Sequence, residues 1–218
     1  MGQARYELIG SAVSPFVRKV RACLALKSIP YDLTEISIFA PPEWFETISP
    51  LKRIPVLRDH HRNGATLNDS SVIVAYLEAE HTEIPLYPQD PWDRARALWF
   101  EEYMDSDFAF RMGMGVFRPR YVSPRMGKPV DEALAQKTLT EHAPRFYRYL
   151  NDAIAGKPWF VGDRLSIADI AVATQFANLR YANETPSPQD YPDLAAYVEK
   201  MLATPVFASL AALERAAS

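Results

Sequence analysis

Residues 5–27 read RYELIGSAVSPFVRKVRACLALK, and the change of pattern inside this stretch decides the fold. Arg5 to Ile9 is a short β-prone run, and Ser11 to Ser14 is loop. From Pro15 to Lys27, the residues Phe16, Val17, Val20, Cys23, Leu24 and Leu26 recur at mixed three- and four-residue spacings, the period of a helix. Pro15 suits the first helical turn, where a missing N–H loses no bond, and Ser14 suits the N-cap before it.

Working outward, Pro30 precedes a second strand over Tyr31 to Ile38. Pro41 to Ile48 reads as a short helix or loop. Ile54 to Leu57 is a third strand that contains Pro55. Asp59 to Gly64 is a polar turn, and Ala65 to Leu67 a brief fourth strand. Val72, Ile73, Tyr76 and Leu77 mark one face of a helix from Asp69 to about His81. Ile84 to Pro91 carries Pro85, Pro88 and Pro91 and reads as a linker. The expected helices beyond it are Trp92 to Phe117, Asp131 to Ala155, Ser166 to Tyr181, Tyr191 to Ala203 and Val206 to Ala216. Arg118 to Pro129 and Asn183 to Pro192 are expected loops. The division is therefore an α/β domain at 1–83, a linker at 84–91 and an all-α domain at 92–218.

Composition narrows the function classes. The chain has 218 residues, 48% hydrophobic and 23% charged, which excludes a disordered, collagenous or disulfide-stapled protein. Lys+Arg 24 against Asp+Glu 27 gives a net charge of −3, so there is no bulk attraction to nucleic acid or to anionic lipid. Cys23 is the single cysteine, which excludes an intrachain disulfide and points to a reducing compartment. No apolar run opens the chain as a signal peptide would, and none reaches the roughly 20 residues of a membrane span. A cytoplasmic location is expected. No zinc spacing, GxGxxG or GxxxxGK[ST] is present, so no metal, dinucleotide or P-loop site is expected.

Four places can carry chemistry. Ser14 opens a helix whose free N–H groups favour an anion, and its hydroxyl can donate to a thiolate. The plainer reading is an ordinary N-cap, worth about 1 kcal/mol. Pro55 interrupts a strand, where it can sit at an edge or follow a cis bond. A cis Ile54–Pro55 bond turns the Ile54 backbone away from strand pairing, where an extended peptide can bond to it. Asn68-Asp69-Ser70-Ser71 can cap its helix, or Ser70 can hold a ligand carboxylate while Asp69 pairs with an ammonium. Ser166-Ile167-Ala168-Asp169 is a capping-box pattern, read as folding chemistry, with a cost of about 0.5–2 kcal/mol for Asp169→Ala. Glu101, Glu102, Asp105 and Asp107 read as a solvated helical face, and Arg118 and Arg120 as surface.

These motifs, in this order along the whole chain, resemble the cytosolic glutathione transferase family. The resemblance rests on Ser14-Pro15-Phe16-Val17-Arg18-Lys19-Val20, Arg53-Ile54-Pro55-Val56-Leu57, Asn68-Asp69-Ser70 and Ser166-Ile167-Ala168-Asp169. It implies a thioredoxin-like α/β domain followed by an all-helical domain, as a homodimer. It implies that Ser14 donates a hydrogen bond to the glutathione sulfur and that Ile54, before Pro55, anchors the cysteinyl backbone. Asp69 and Ser70 are implied to hold the γ-glutamyl end, with Asp69 standing where the family more often has Glu. Arg53 is implied to reach the glycyl carboxylate. Glutathione is then a co-substrate and no metal is needed.

A small hydrophobic electrophile is the implied partner, with Phe108, Arg111, Met112 and Phe117 expected to line its pocket. Ser14 in place of a cysteine favours conjugation or peroxide reduction over thiol–disulfide exchange. Cys23 lies about 2.5 helical turns away and does not substitute. Tyr6 and Ser11 remain rival hydroxyls to Ser14. An apolar face around Tyr76 and residues near Trp99 are candidates for dimer contacts. The other class of function is a non-catalytic member of the same fold, acting as a binding or regulatory protein.

Overall fold

The structure, a computed structural model, describes residues 3–216. Its described residues divide into two compact units, one running to Leu86 and including the C-terminal helix from Pro205, the other spanning Tyr87–Thr204.

The first unit is built on strands β1 (Tyr6–Gly10), β2 (Tyr31–Glu35), β3 (Val56–Asp59) and β4 (Ala65–Asn68), in the order β2-β1-β3-β4. β2 runs parallel to β1, whereas β3 and β4 are antiparallel to their neighbours. Alternation along the strands separates two faces. Ile9 and Val56 pack on one side with Phe45 and Ile48 of the short helix α2 (Phe45–Ile48). Leu8 and Leu57, also buried, point to the other. Helices α1 (Pro15–Leu26) and α3 (Ser70–Glu80) pack together, and α3 also rests on β3 and β4.

Strand ends differ from the expectation. β2 stops at Glu35, where Ile36 N–H turns to the Gly10 carbonyl at 3.3 Å. β3 starts at Val56, so Ile54 and Pro55 lie outside the ladder. The last helix, α10 (Pro205–Ala216), was expected in the helical domain and packs instead on α1. The expected linker is divided too. Lys27 donates to the His81 and Ile84 carbonyls, both at 2.7 Å, and Glu78 accepts from Leu86 N–H, so the segment to Leu86 is tied to the first unit.

The second unit holds α4 (Pro91–Tyr103), α5 (Ser123–Arg125), α6 (Glu132–Glu141), α7 (Ala143–Ile154), α8 (Ile167–Tyr181) and α9 (Pro192–Leu202). Between α4 and α5 the chain stays helical in a wider, π-wound segment, Met104–Val122. Arg118 and Pro119, expected in a loop, are therefore helical. Arg120 is not surface but a half-buried partner of Glu132 and Glu184. Glu101, expected on a solvated face, is 2% exposed and accepts from the Tyr87 hydroxyl. The expected helix from Asp131 breaks at His142, because Pro144 cannot donate to a continuing helix. Gly115 lets α6 come close, since a Cβ there would overlap the Thr138 side chain.

α8 is the buried centre of this unit. Phe108 and Phe176 rings lie 5.4 Å apart, with Phe146 5.2 Å from Phe108. Ser166 and Asp169 form the expected capping box. Asp169 does more than cap. It is 0% exposed and also accepts from Phe160 N–H at 3.0 Å and from the Tyr197 hydroxyl. Burial pushes this carboxyl above the usual range, against the pull of those donors. Removing it strands several buried donors at once. Asp169→Ala is therefore expected to lose about 2–5 kcal/mol, beyond the cost of a cap alone, while Asp169→Asn loses less; chemical denaturation of the two variants checks this.

Candidate functional site

Register brings the sequence-predicted residues together. Ile9 pairs with Val56, and Val56 pairs with Asn68. On β2, Glu35 pairs with Gly10. The loop after β1, the Ile54–Pro55 segment before β3 and the Asp69–Ser70 turn after β4 thus emerge side by side at one end of the sheet. Asn68 Nδ2–H bonds the Ile48 carbonyl at 2.9 Å and ties this end to α2.

Gly10 closes the arrangement. A Cβ at this position would stand 2.6 Å from Val17 Cγ2 and 3.1 Å from Ile54 Cβ. The first turn of α1 and the Ile54 segment therefore converge on a residue with no side chain. Sequence reading passed over Gly10, although a glycine directly after an apolar strand signals close approach.

Ser14 is the N-cap of α1. Its Oγ accepts from Val17 N–H at 3.5 Å, a long bond that leaves the hydroxyl hydrogen for another acceptor. The loop before it is fixed on both sides. Ser14 N–H bonds the Ser11 carbonyl at 3.0 Å, and Ala12 N–H lies 3.0 Å from each carboxylate oxygen of Glu35. Tyr6 is removed as a rival. Its ring is 1% exposed, its hydroxyl is bonded to His81 Nε2 at 3.0 Å, and burial raises its pKa. Ser11 stays in the loop, its carbonyl engaged by Ser14.

The Ile54–Pro55 bond is cis. The turn leading to it is held by Ser49, whose Oγ donates to the Arg53 carbonyl at 2.8 Å and accepts from Arg53 N–H at 3.0 Å. Sequence analysis did not single out Ser49. The Arg53 side chain is exposed.

Asp69 caps α3 through Oδ1, which accepts from Ser71 N–H at 2.9 Å and Val72 N–H at 3.3 Å. Its backbone is left-handed, φ 76°. Asp69 is exposed, while Ser70 is buried at the helix start. The capping reading is thus realised, and it leaves the ligand reading open. Two helix N-termini, each the positive end of a helix dipole, open onto this end of the sheet.

The expected electrophile wall fares differently. Phe108 and Met112 are both 0% exposed, and Phe108 is packed between Phe146 and Phe176. A ring enclosed in this way presents no face to an incoming molecule, so the expectation is corrected to packing for these two. Phe117 stacks on Tyr121 with ring centres 5.0 Å apart. Arg111 is half-exposed and pairs with Asp107 at 3.1 Å.

A surface concavity of about 440 Å³ lies elsewhere, lined by Leu57, Asp59, Arg62, Leu67, Tyr76 and Glu80 among others. It flanks the Asp59–Ala65 pairing, the opposite end of the sheet from Ser14. Tyr76, expected on an apolar face, bonds there to Asp59 and Arg62. Burial would raise the Asp59 carboxyl, but donors from Arg5, Tyr76 and the His61 N–H outweigh it and hold its pKa near about 2. Among the described residues, no three His, Cys, Asp or Glu side chains converge as a metal site.

Comparison with known proteins agrees with this geometry. Family models described as glutathione S-transferase N-terminal domain and C-terminal domain match residues 8–85 and 121–210. The chain is 30% identical to maleylacetoacetate isomerase of Rattus norvegicus over 194 residues, covering 87% of this chain and 84% of the relative. It is 26% identical to FtsZ-localized protein A of Caulobacter vibrioides over 202 residues, covering 89% and 86%. A glutathione S-transferase from Rhodospirillum rubrum F11 superposes with TM-score 0.85 at 25% identity, covering 94% and 91%. One from Methylobacterium radiotolerans, solved with glutathione sulfonate, gives TM-score 0.75 at 27% identity, covering 94% and 93%. The chain belongs to the cytosolic glutathione transferase family, with that family's fold of a thioredoxin-like domain and a helical domain.

Because Gly10 sits under both Val17 and Ile54, Gly10→Ala is expected to push them apart. The loss expected is about 1–3 kcal/mol, with backbone shifts at Ser14 and Ile54 visible as amide chemical-shift changes confined to this sheet end.

Proposed function

We propose that the protein is a glutathione S-transferase that joins glutathione to small hydrophobic electrophiles, or uses it to reduce organic peroxides. The observation that carries the reading is the convergence of the Ser14 loop, the Ile54 backbone and the Asp69–Ser70 turn at one end of the sheet.

Glutathione is a short peptide with two carboxylates, one ammonium and one thiol. Each group has a counterpart here. Ile54 stands outside the ladder, where its backbone groups can bond an extended peptide. Asp69 Oδ2 suits the ammonium, and the α3 start with the Ser70 hydroxyl suits the γ-glutamyl carboxylate. Exposed Arg53 suits the glycyl carboxylate. Ser14 donates its hydrogen to the sulfur and favours the thiolate. In conjugation the thiolate forms a carbon–sulfur bond, the leaving group departs with its electron pair, and the thiol proton goes to solvent. Of the expected electrophile wall Phe117 is buried as well, and Arg111 alone stays exposed enough to touch an electrophile in this reading. A homodimer, a role in detoxification and a cytoplasmic location belong to the same proposal. Among the described residues, no single helix is long and apolar enough to cross a membrane.

A second reading rests on the likeness to FtsZ-localized protein A, a relative whose name describes a location and no reaction. In that reading the chain is a non-catalytic binding protein on the same fold.

Calorimetric titration with glutathione, then turnover with a generic aryl halide, an organic hydroperoxide and maleylacetoacetate, separates the two. The transferase reading expects binding and turnover. Ser14→Ala should lose on the order of 10²-fold in kcat with a far smaller change in glutathione affinity. Asp69→Asn should do the reverse, weakening affinity about tenfold or more while keeping the helix cap, since Asn caps as well as Asp. Absence of both binding and turnover in the wild type would reject the transferase reading in favour of the binding protein.

A further inference from the structure

Helix α1 buries charge where periodicity suggests a solvent face. Arg18, Lys19 and Arg21 are 1%, 0% and 2% exposed. α10 brings Glu214, itself 1% exposed, to Arg18 and Arg21, while Lys19 reaches Ser71 of α3. Arg18 meets Glu214 through two near-parallel bonds, Nε to Oε1 at 2.9 Å and an NH2 nitrogen to Oε2 at 2.7 Å. Arg21 adds a longer contact to Oε1 at 3.5 Å and donates to the Tyr31 hydroxyl at 3.0 Å. A planar fork held bidentately by a buried carboxylate has little freedom to rotate. The Arg18 nitrogen that meets Oε2 also reaches the Val13 carbonyl at 3.5 Å. Val13 is the residue before Ser14, and its carbonyl is part of the Ser14 peptide unit. Glu35 fixes the far side of the same loop at Ala12 N–H.

We propose that Glu214, supplied by the C-terminal helix, is a positioning residue for Ser14, acting through Arg18 on the Val13–Ser14 peptide. The inference rests on the transferase reading for its effect on turnover, and on geometry alone for its effect on the loop. Glu214 locks the guanidinium. The guanidinium limits rotation of the peptide that sets the direction of the Ser14 side chain. A hydroxyl that must aim one hydrogen at one sulfur is sensitive to such rotation, because a misplacement of about 1 Å can cost roughly 10²-fold in rate. Arg18→Lys cannot replace the fork, since an ammonium is a point donor.

The test uses Glu214→Gln and the apolar double variant Arg18→Met with Glu214→Leu. Removing both charges of a buried pair is often tolerated where removing one is not. Amide hydrogen exchange is read first, without ligand. Exchange at residues 12–17 should rise about tenfold or more, while α3 and the sheet stay as in the wild type. With glutathione bound, the thiol should titrate at higher pH, and kcat should fall about tenfold or more, with KM for glutathione within about threefold. Glu214→Asp should recover part of both. A folded variant with unchanged loop exchange and unchanged thiol titration overturns the proposal, and so does loss of fold in both variants, which would assign Glu214 to folding alone. Failure of the wild type to bind glutathione would sink the transferase reading, yet the exchange experiment would still decide whether the brace holds the loop.

Discussion

The site depends on one steric fact: nothing larger than hydrogen fits on Gly10. Val17 from α1 and Ile54 from the segment before β3 both press on that position. The strand register then fixes the third partner, because Val56 pairs with Asn68 and the chain turns at Asp69 immediately afterwards. Three segments distant in sequence are held together by close approach and by pairing, before any ligand is considered. Packing at interior density allows little slack at such a junction. The loop bonds from Glu35 and Ser49 refine positions that this junction has already set.

The first unit also shows how charge can be buried without isolation. Lys27 places three donors, on the His81 and Ile84 carbonyls and, at 2.7 Å, on Glu78. Lys19 donates to the Ser71 hydroxyl at 2.9 Å, linking α1 to the first turn of α3. Arg18 and Arg21 share Glu214. A buried cation still incurs a desolvation penalty, and its satisfied donors offset it. These bonds run between elements, so they specify how α1 meets α3 and α10, where an apolar contact would specify less.

Much of this was legible in the sequence, and the rest was hidden for identifiable reasons. The strand–loop–helix change at 5–27, the Ser14 cap, the break at Pro55 and the Ser166–Asp169 box are local signals, written in residue types at fixed offsets. The burial of Arg18, Lys19 and Arg21 is not local. Arg18 and Arg21 meet Glu214 of α10, almost 200 residues later, and Lys19 meets Ser71 of α3, so their burial depends on segments distant in sequence. Glu35 falls inside the expected second strand and Ser49 just beyond the expected short helix or loop, and their bonds to Ala12 and Arg53 depend on how the chain returns. Pro119 misled because proline normally ends a helix by losing an i→i−4 bond and crowding that carbonyl. The chain nevertheless stays helical through Met104–Val122, a wider winding in which Pro119 still forgoes its own bond because it has no N–H to give.

Capping bonds offer a way to weigh folding against ligand use at Ser14. Asp90 caps α4 with a bond of 2.9 Å to Asp93 N–H, and Asp131 caps α6 with 2.9 Å to Leu134 N–H. Ser14 caps α1 at 3.5 Å. As helix caps a carboxylate and a serine hydroxyl are about equal. A carboxylate cannot donate, however, and would repel a thiolate, whereas a hydroxyl can accept from the helix and donate to an anion together. Ser14 accepts from the helix and keeps its hydroxyl hydrogen for another acceptor. At Asp69 the two demands fall on different oxygens, with Oδ1 turned to the helix. The ammonium of a peptide ligand can meet Oδ2 without competing with the fold. Both residues combine a structural bond with spare bonding capacity, and that capacity faces a sheet end where two positive helix termini already favour an anionic guest.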